Sequence, residues 1–290
     1  MDPFASPHNL DRELHSLLAQ ASSNLCDWFA ETGSKSPMPE SFELPEVYPA
    51  KEGVSNNVLL SELKLLMNGS YRPSHPGSLA HLDPPPLSAS IVGDLICAGL
   101  NNNLLAEELS PSLSSLERNL CKWFCKRLGF GDLSGGVAAS GGSLSNLMAL
   151  VMARNIAGLE SDPDAVFFAS DDCHVSFSKA LRIMGLKQES LQKVPTDENG
   201  ELQISSLRSS LNKIRSEGKK CFAVVATAGT TVRGAIDPLS EIVQFCKKEK
   251  VWLHVDGAVG GVYGLSKITS EIVKGLGSAD SLTVNPQKLL

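Results

Sequence analysis

Residues 221–261 read CFAVVATAGTTVRGAIDPLSEIVQFCKKEKVWLHVDGAVGG. Two short β-rich runs, Cys221 to Ala226 and Val251 to Val255, enclose a stretch of helical length at 238–250. Continuous apolar runs of this kind, joined through a helix, indicate parallel strands buried on both faces and connected by a right-handed crossover. The same alternation extends outward. Upstream, Ala165 to Ala169 (AVFFA) is a further strand candidate, with helix candidates at 143–157, 175–184 and 204–216. Downstream, a helix candidate at 267–275 precedes Ser281 to Val284 (SLTV). The pattern predicts an α/β architecture with a mostly parallel sheet and helices on both faces.

The region before residue 111 is less regular. Leu14, Leu17, Leu18, Leu25 and Phe29 recur at helical spacing between Leu10 and Ala30, which predicts an amphipathic helix. Residues 31–58, rich in Pro, Ser and Glu, read as a connector to a short helix around Leu59 to Met67. Tyr71 to Ser90 carries five prolines together with His75 and His81, so a regular helix is excluded there. Pro111 to Gly129 places Leu113, Leu116, Leu120, Phe124 and Leu128 on one helical face. Ser114 and Glu117 have the spacing of a capping box, and Gly129 is the expected stop.

Composition narrows the function. The chain has 290 residues, 26 Lys+Arg against 32 Asp+Glu, and a net charge of −6. Nucleic acid and anionic membrane are poor partners for such a balance, because both call for clustered positive charge. Seven cysteines without a CxxC pair indicate neither a disulfide framework nor a zinc knuckle, and no metal site is expected. The N-terminus lacks a basic start and apolar run, and no stretch reaches the ~18 apolar residues of a membrane span. The expected location is cytoplasmic.

Four polar clusters sit at predicted strand exits or helix starts, where open α/β sheets bind ligands. Ala139 to Asn146 (ASGGSLSN) combines glycines with the start of a helix, a suitable cradle for phosphate or simply a capped turn. Ser170 to Ser176 (SDDCHVS) holds His174, which can serve as acid, base or stacking surface, or be structural. Thr227 to Thr231 (TAGTT) offers hydroxyls in what is otherwise a common kind of turn. His254 to Ala258 (HVDGA) and Asn285 to Lys288 (NPQK) present a carboxylate and a lysine that could face one crevice or form a salt bridge. Together the clusters ask for a ligand with a phosphate, a stackable ring, a ring nitrogen for a carboxylate and a carbonyl for a lysine. Pyridoxal 5′-phosphate has all four.

In this order and spacing, SGGSLSNLMAL, DDCHVSFSKA, ATAGTTVRGAIDP, HVDGAVGG and NPQK resemble the group II pyridoxal-phosphate-dependent decarboxylases, which act on glutamate, aromatic amino acids or diaminobutyrate. The resemblance runs from about residue 60 to the last residue. It implies the large domain of the aspartate aminotransferase type (fold type I) over 91–290, preceded by a helical, proline-rich segment over 1–90 that packs across a homodimer beside the substrate. The implied activity is decarboxylation of an L-amino acid to the amine and carbon dioxide. The alternatives are another fold type I enzyme of the same cofactor, a lyase or transaminase, or a noncatalytic truncated homologue.

Carried over by motif, the resemblance implies that Lys288 forms the Schiff base, Asp256 pairs with the ring nitrogen and His174 stacks on the ring. Gly142, Ser143, Asn285 and Gln287 would hold the phosphate, with Thr231 near the cofactor and Ala258 beneath the ring. Gly257 and Val259 stand where many members read HVDAAWGG, and Gln287 stands where many have histidine. The segment Gly77 to Ala89, with His81 and Asp83, matches the place where the family lines its substrate pocket. The family also continues past the lysine through further strands, a mobile loop and a small domain, so an incomplete C-terminus is expected here.

Overall fold

A computed structural model of the chain describes residues 4–39, 43, 51–79, 82 and 84–290. His81 and Asp83 lie outside the described residues. The chain divides into two compact units, residues 1–96 and 97–290.

The first unit contains helices α1 (Arg12–Ala30) and α2 (Asn56–Asn68), and most of α3 (Ser88–Leu100). Asp11 caps α1 by accepting from the Leu14 amide at 2.9 Å, and Ser55 caps α2 through the Val58 amide. The loops are tied down by Arg72. Its guanidinium lies 4.5 Å from the centre of the Trp28 ring and donates to Trp28 O and Thr32 Oγ1. The amphipathic helix expected from Leu10 to Ala30 is present. No reading of the residues marked α3, whose sequence SASIVGDLICAGL is apolar nearly all round and so gives no face to detect.

The second unit is an α/β/α sandwich. Its strands are β1 (Val166–Ser170), β2 (Leu191–Val194), β3 (Cys221–Thr227), β4 (Trp252–Gly257) and β5 (Ser281–Val284). They form one sheet in the order β2-β1-β3-β4-β5, with every pairing parallel. The helices are α4 (Pro111–Arg127), α5 (Gly142–Ile156), α6 (Ser176–Ile183), α7 (Ile204–Ser216), α8 (Leu239–Glu249) and the one-turn α9 (Pro286–Leu289).

Alternation along the strands makes two cores. Val166, Phe168, Val224, Ala226, Leu253 and Val255 pack with Leu207, Leu211 and Ile214 of α7 and Leu239, Ile242 and Phe245 of α8. Phe167, Ala169, Ala223 and Val225 pack with Leu150 and Ala153 of α5 and Phe177, Ala180 and Leu181 of α6. Burial on both faces is why these strands read as unbroken apolar runs. Each fully buried Phe or Leu contributes about 1.5–3 kcal/mol.

Three local expectations need correction. The capping box at Ser114 and Glu117 does not form, because Pro111 at the first helical position starts α4 a turn earlier, with Ser110 as its N-cap. Ser114 is buried inside the helix, and Glu117 instead accepts from the Ala138 amide at 2.7 Å. The stretch 267–275 is not an α-helix but a series of turns with a short 3₁₀ segment, Ser270–Val273. β2 gave no sequence signal, since Gln192 and Lys193 interrupt its apolar pattern on an edge strand. Gly129 does end α4, with φ at +83°. Among the described residues, no helix is long and apolar enough to cross a membrane.

Candidate active site

The carboxyl ends of β1, β3, β4 and β5 and the start of α5 surround an open cavity of about 180 Å³. It is lined by Gly142, Ser143, Asn146, His174, Thr227, Gly229, Thr230, Thr231, Asp256, Ala258, Val259, Asn285 and Lys288. All four polar clusters reach it. Crossovers bring them together because every strand of a parallel sheet runs in the same direction, so every exit lies at the same end.

The start of α5 forms one wall. Its first amides have no intrahelical acceptor, and the positive end of the helix dipole favours an anion. Ser145 fixes this end to the sheet through a 2.8 Å bond between its hydroxyl and that of Thr283 on β5.

His174 stands on the loop after β1. Lys193, from the neighbouring edge strand, anchors that loop by donating to Ser170 O, Asp171 O and Cys173 Sγ at 3.0–3.2 Å. The His174 Nδ1 accepts from the Ser176 amide at 3.2 Å, which sets the ring at the start of α6.

After β3, Asp237 holds the third cluster. Its carboxylate accepts from the amides of Thr227 at 2.7 Å and Leu202 at 2.8 Å. Burial pushes its pKa up to about 6, against the opposing effect of those two bonds. The Thr227 hydroxyl, buried on the cavity wall, has no hydrogen-bond partner among the described residues.

Asp256 is the penultimate residue of β4 and is 4% exposed. One oxygen accepts from Asn146 Nδ2 at 3.0 Å and the other from the Ala258 amide at 3.2 Å. The next residue, Gly257, is tightly enclosed. A Cβ there would lie 2.8 Å from Leu282 Cδ1 and 3.0 Å from Thr283 O, so the departure from alanine at this position fits the packing of this chain.

Lys288 and Asn285 line the cavity from α9, the turn following β5. Gln287 is exposed and is not among the residues that line it.

The other expected residues, Gly142, Ser143, His174, Thr231, Asp256, Ala258, Asn285 and Lys288, share the one cavity. Asn146, Thr227, Gly229 and Thr230 also line it, although the sequence assigned them no role. For Asn146 a signal existed: it follows Gly142 by one helical turn and so lies on the same face of α5. The site thus offers an anion cradle, a flat imidazole, a buried acceptor-only carboxylate and an amine.

Comparison with known proteins gives a consistent answer. The family described as "Pyridoxal-dependent decarboxylase conserved domain" matches residues 39–290. An aromatic-L-amino-acid decarboxylase of Bacillus atrophaeus is 38% identical over 217 residues, covering 74% of this chain and 45% of the relative. A cysteine sulfinic acid decarboxylase of Rattus norvegicus is 31% identical over 277 residues, covering 93% of this chain and 55% of the relative. The crystal structure of mouse CSAD superposes with a TM-score of 0.90 at 28% identity, over 96% of this chain and 62% of that one. The chain spans about half the length of the curated relatives it matches.

Proposed function

Because the chain belongs to the pyridoxal-dependent decarboxylase family, we propose that its cavity holds pyridoxal 5′-phosphate and that the protein decarboxylates an L-amino acid to the amine and carbon dioxide. The observation that carries this reading is the convergence of Lys288, Asp256, His174 and the start of α5 on one cavity.

The residues present fit the cofactor. The Thr227 hydroxyl on the cavity wall lacks a partner among the described residues, and a bound polar ligand would satisfy it. The first amides of α5, with Ser143 and Asn285, suit a phosphate dianion. Asp256 is an acceptor only and lies at the buried end, suited to a protonated ring nitrogen. Bound there, pyridoxal phosphate supplies an aldehyde that captures an amine and a cationic ring that accepts the electron pair left when a carboxylate departs as carbon dioxide.

The protein's own groups then have separate tasks. The Lys288 amine would hold the aldehyde of the cofactor until an amino-acid substrate arrives. Asp256 would pair with the protonated ring nitrogen from its buried position. His174 supplies a flat face and, with Nδ1 already accepting from the Ser176 amide, keeps Nε2 available to hold or deliver a proton at the reacting side. Ala258, on the cavity wall, would pack beneath the ring.

Carbon dioxide release from a panel of L-amino acids, with Lys288→Ala as control, tests the assignment. Release from at least one amino acid that is lost in the variant is expected; release that persists in the variant contradicts it. A keto acid or aldehyde in place of the amine would favour the transaminase or lyase alternative. We further propose a cytoplasmic homodimer with the first unit contributing to the interface. Apolar side chains of α2 and α3 such as Leu63, Leu66, Val92 and Ile96 are each more than 40% exposed in the single chain, which supports this reading. Light scattering that gave a monomer mass would overturn it.

A further inference from the structure

Trp252, His254 and Asp256 occupy alternate positions of β4 and therefore face the same side of the sheet, toward α5. All three enter one hydrogen-bonded chain. Trp252 Nε1 donates to Ser281 Oγ at 2.8 Å, and Ser281 Oγ lies 3.0 Å from His254 Nδ1. His254 Nε2 lies 3.0 Å from Asn146 Oδ1, and Asn146 Nδ2 donates to Asp256 Oδ2 at 3.0 Å.

The direction of every bond follows from chemistry. A carboxylate only accepts, so the Asn146 NH₂ must face Asp256, and its second hydrogen reaches Ser176 Oγ at 3.1 Å. Asn146 Oδ1 is then the acceptor for His254, which must carry its proton on Nε2. His254 Nδ1 accepts from the Ser281 hydroxyl, whose oxygen accepts from the Trp252 indole. All donors point toward Asp256, the arrangement in which successive bonds polarise one another. His254 is fully buried, and burial pushes its pKa down to about 4 against the upward pull of Asp256, so the ring is a neutral member of the chain.

We propose that Asn146 and His254 are positioning residues that orient the Asp256 carboxylate toward the ring nitrogen of the bound cofactor, so that the ring proton keeps its partner. This rests on the assignment of the cavity to pyridoxal phosphate. Without the Asn146 donor the carboxylate is no longer held toward the ring nitrogen, and the ring proton loses its partner. Removing His254 leaves Asn146 Oδ1 unpartnered and free to rotate, with the same result through one more bond.

The test uses the protein loaded with pyridoxal phosphate ¹⁵N-labelled in the ring, and reads the nitrogen chemical shift and the cofactor dissociation constant. Asn146→Leu and His254→Leu are expected to move the shift toward the unprotonated pyridine value and weaken binding about ten-fold, the scale on which supporting residues act. His254→Gln, which can still donate to Asn146, is expected to restore both. Should His254→Leu fail to fold, Ser281→Ala, which removes only the hydroxyl that orients His254, is expected to move the shift in the same direction by a smaller amount. Variants that fold and bind with an unmoved nitrogen shift overturn the proposal, as does a Gln variant that behaves like Leu. Failure of the unsubstituted protein to bind the cofactor would instead count against the parent assignment.

Discussion

Leu253 and Val255 of β4 are packed into the apolar layer with α7 and α8, whereas their neighbours Trp252, His254 and Asp256 face α5 and are hydrogen-bonded. Adjacent residues of one strand thus belong to two regions with different work. The apolar side holds the sheet together. The polar side carries a line of bonds from the amino end of the strand to the carboxylate at the cavity. Separate faces allow a parallel sheet to keep a chemical site without thinning its core, because the period of two assigns every second residue to each side.

The comparison breaks most sharply at its functional end. Asp256→Asn is expected to lower carbon dioxide release per cofactor-loaded molecule by about a hundred-fold or more, since the electrostatic partner of the ring is lost. The same substitution keeps the shape of the site and should cost only about 1 kcal/mol of stability, read from chemical denaturation. Leu253→Ala should do the opposite. It should cost about 2–5 kcal/mol through the cavity it leaves, with the activity of the molecules that remain folded unchanged. A loss of activity in Leu253→Ala at full cofactor occupancy would show that the two faces are not separable.

A second buried carboxylate sharpens the contrast. Asp237 binds two amides, and burial raises its pKa from 3.8 to about 6. A carboxylic acid whose pKa is higher folded than unfolded contributes stability that is complete below about pH 3.8 and is lost as pH rises through 6. That decline amounts to roughly 3 kcal/mol. Asp237→Asn is expected to flatten this fall while lowering stability at pH 4 by about 1–3 kcal/mol, because one amide loses its acceptor. Denaturation at pH 4, 5, 6 and 7 checks both. The smallest expected effect is at Thr227. Thr227→Val removes a hydroxyl with no partner among the described residues, so the cofactor-free protein should change by less than about 0.5 kcal/mol, while cofactor affinity falls about five-fold for one lost bond.

Much of this was legible from residues alone, for physical reasons that differ by element. β1, β3 and β4 were visible because strands buried on both faces read as largely apolar runs, β5 was visible as a short β-rich run, and the motif order located the residues around the cavity. β2 was hidden by Gln192 and Lys193, and Lys193 proves to anchor the loop bearing His174. α3 was hidden by having no polar face. Ser114 and Glu117 had the spacing of a cap but not its place, which Pro111 decided. At the site, Gln287 was assigned from the motif NPQK, where many members carry histidine, and its side chain is exposed. Asn146 and His254 went unassigned because their roles depend on a bond between α5 and β4, residues more than a hundred positions apart that only folding unites.

Whether the cavity holds pyridoxal phosphate through Lys288 is tested directly by borohydride reduction of the cofactor-loaded protein followed by peptide mass spectrometry. A single stable adduct on Lys288 that disappears in Lys288→Ala is expected; an adduct on another lysine, or none, would contradict the assignment.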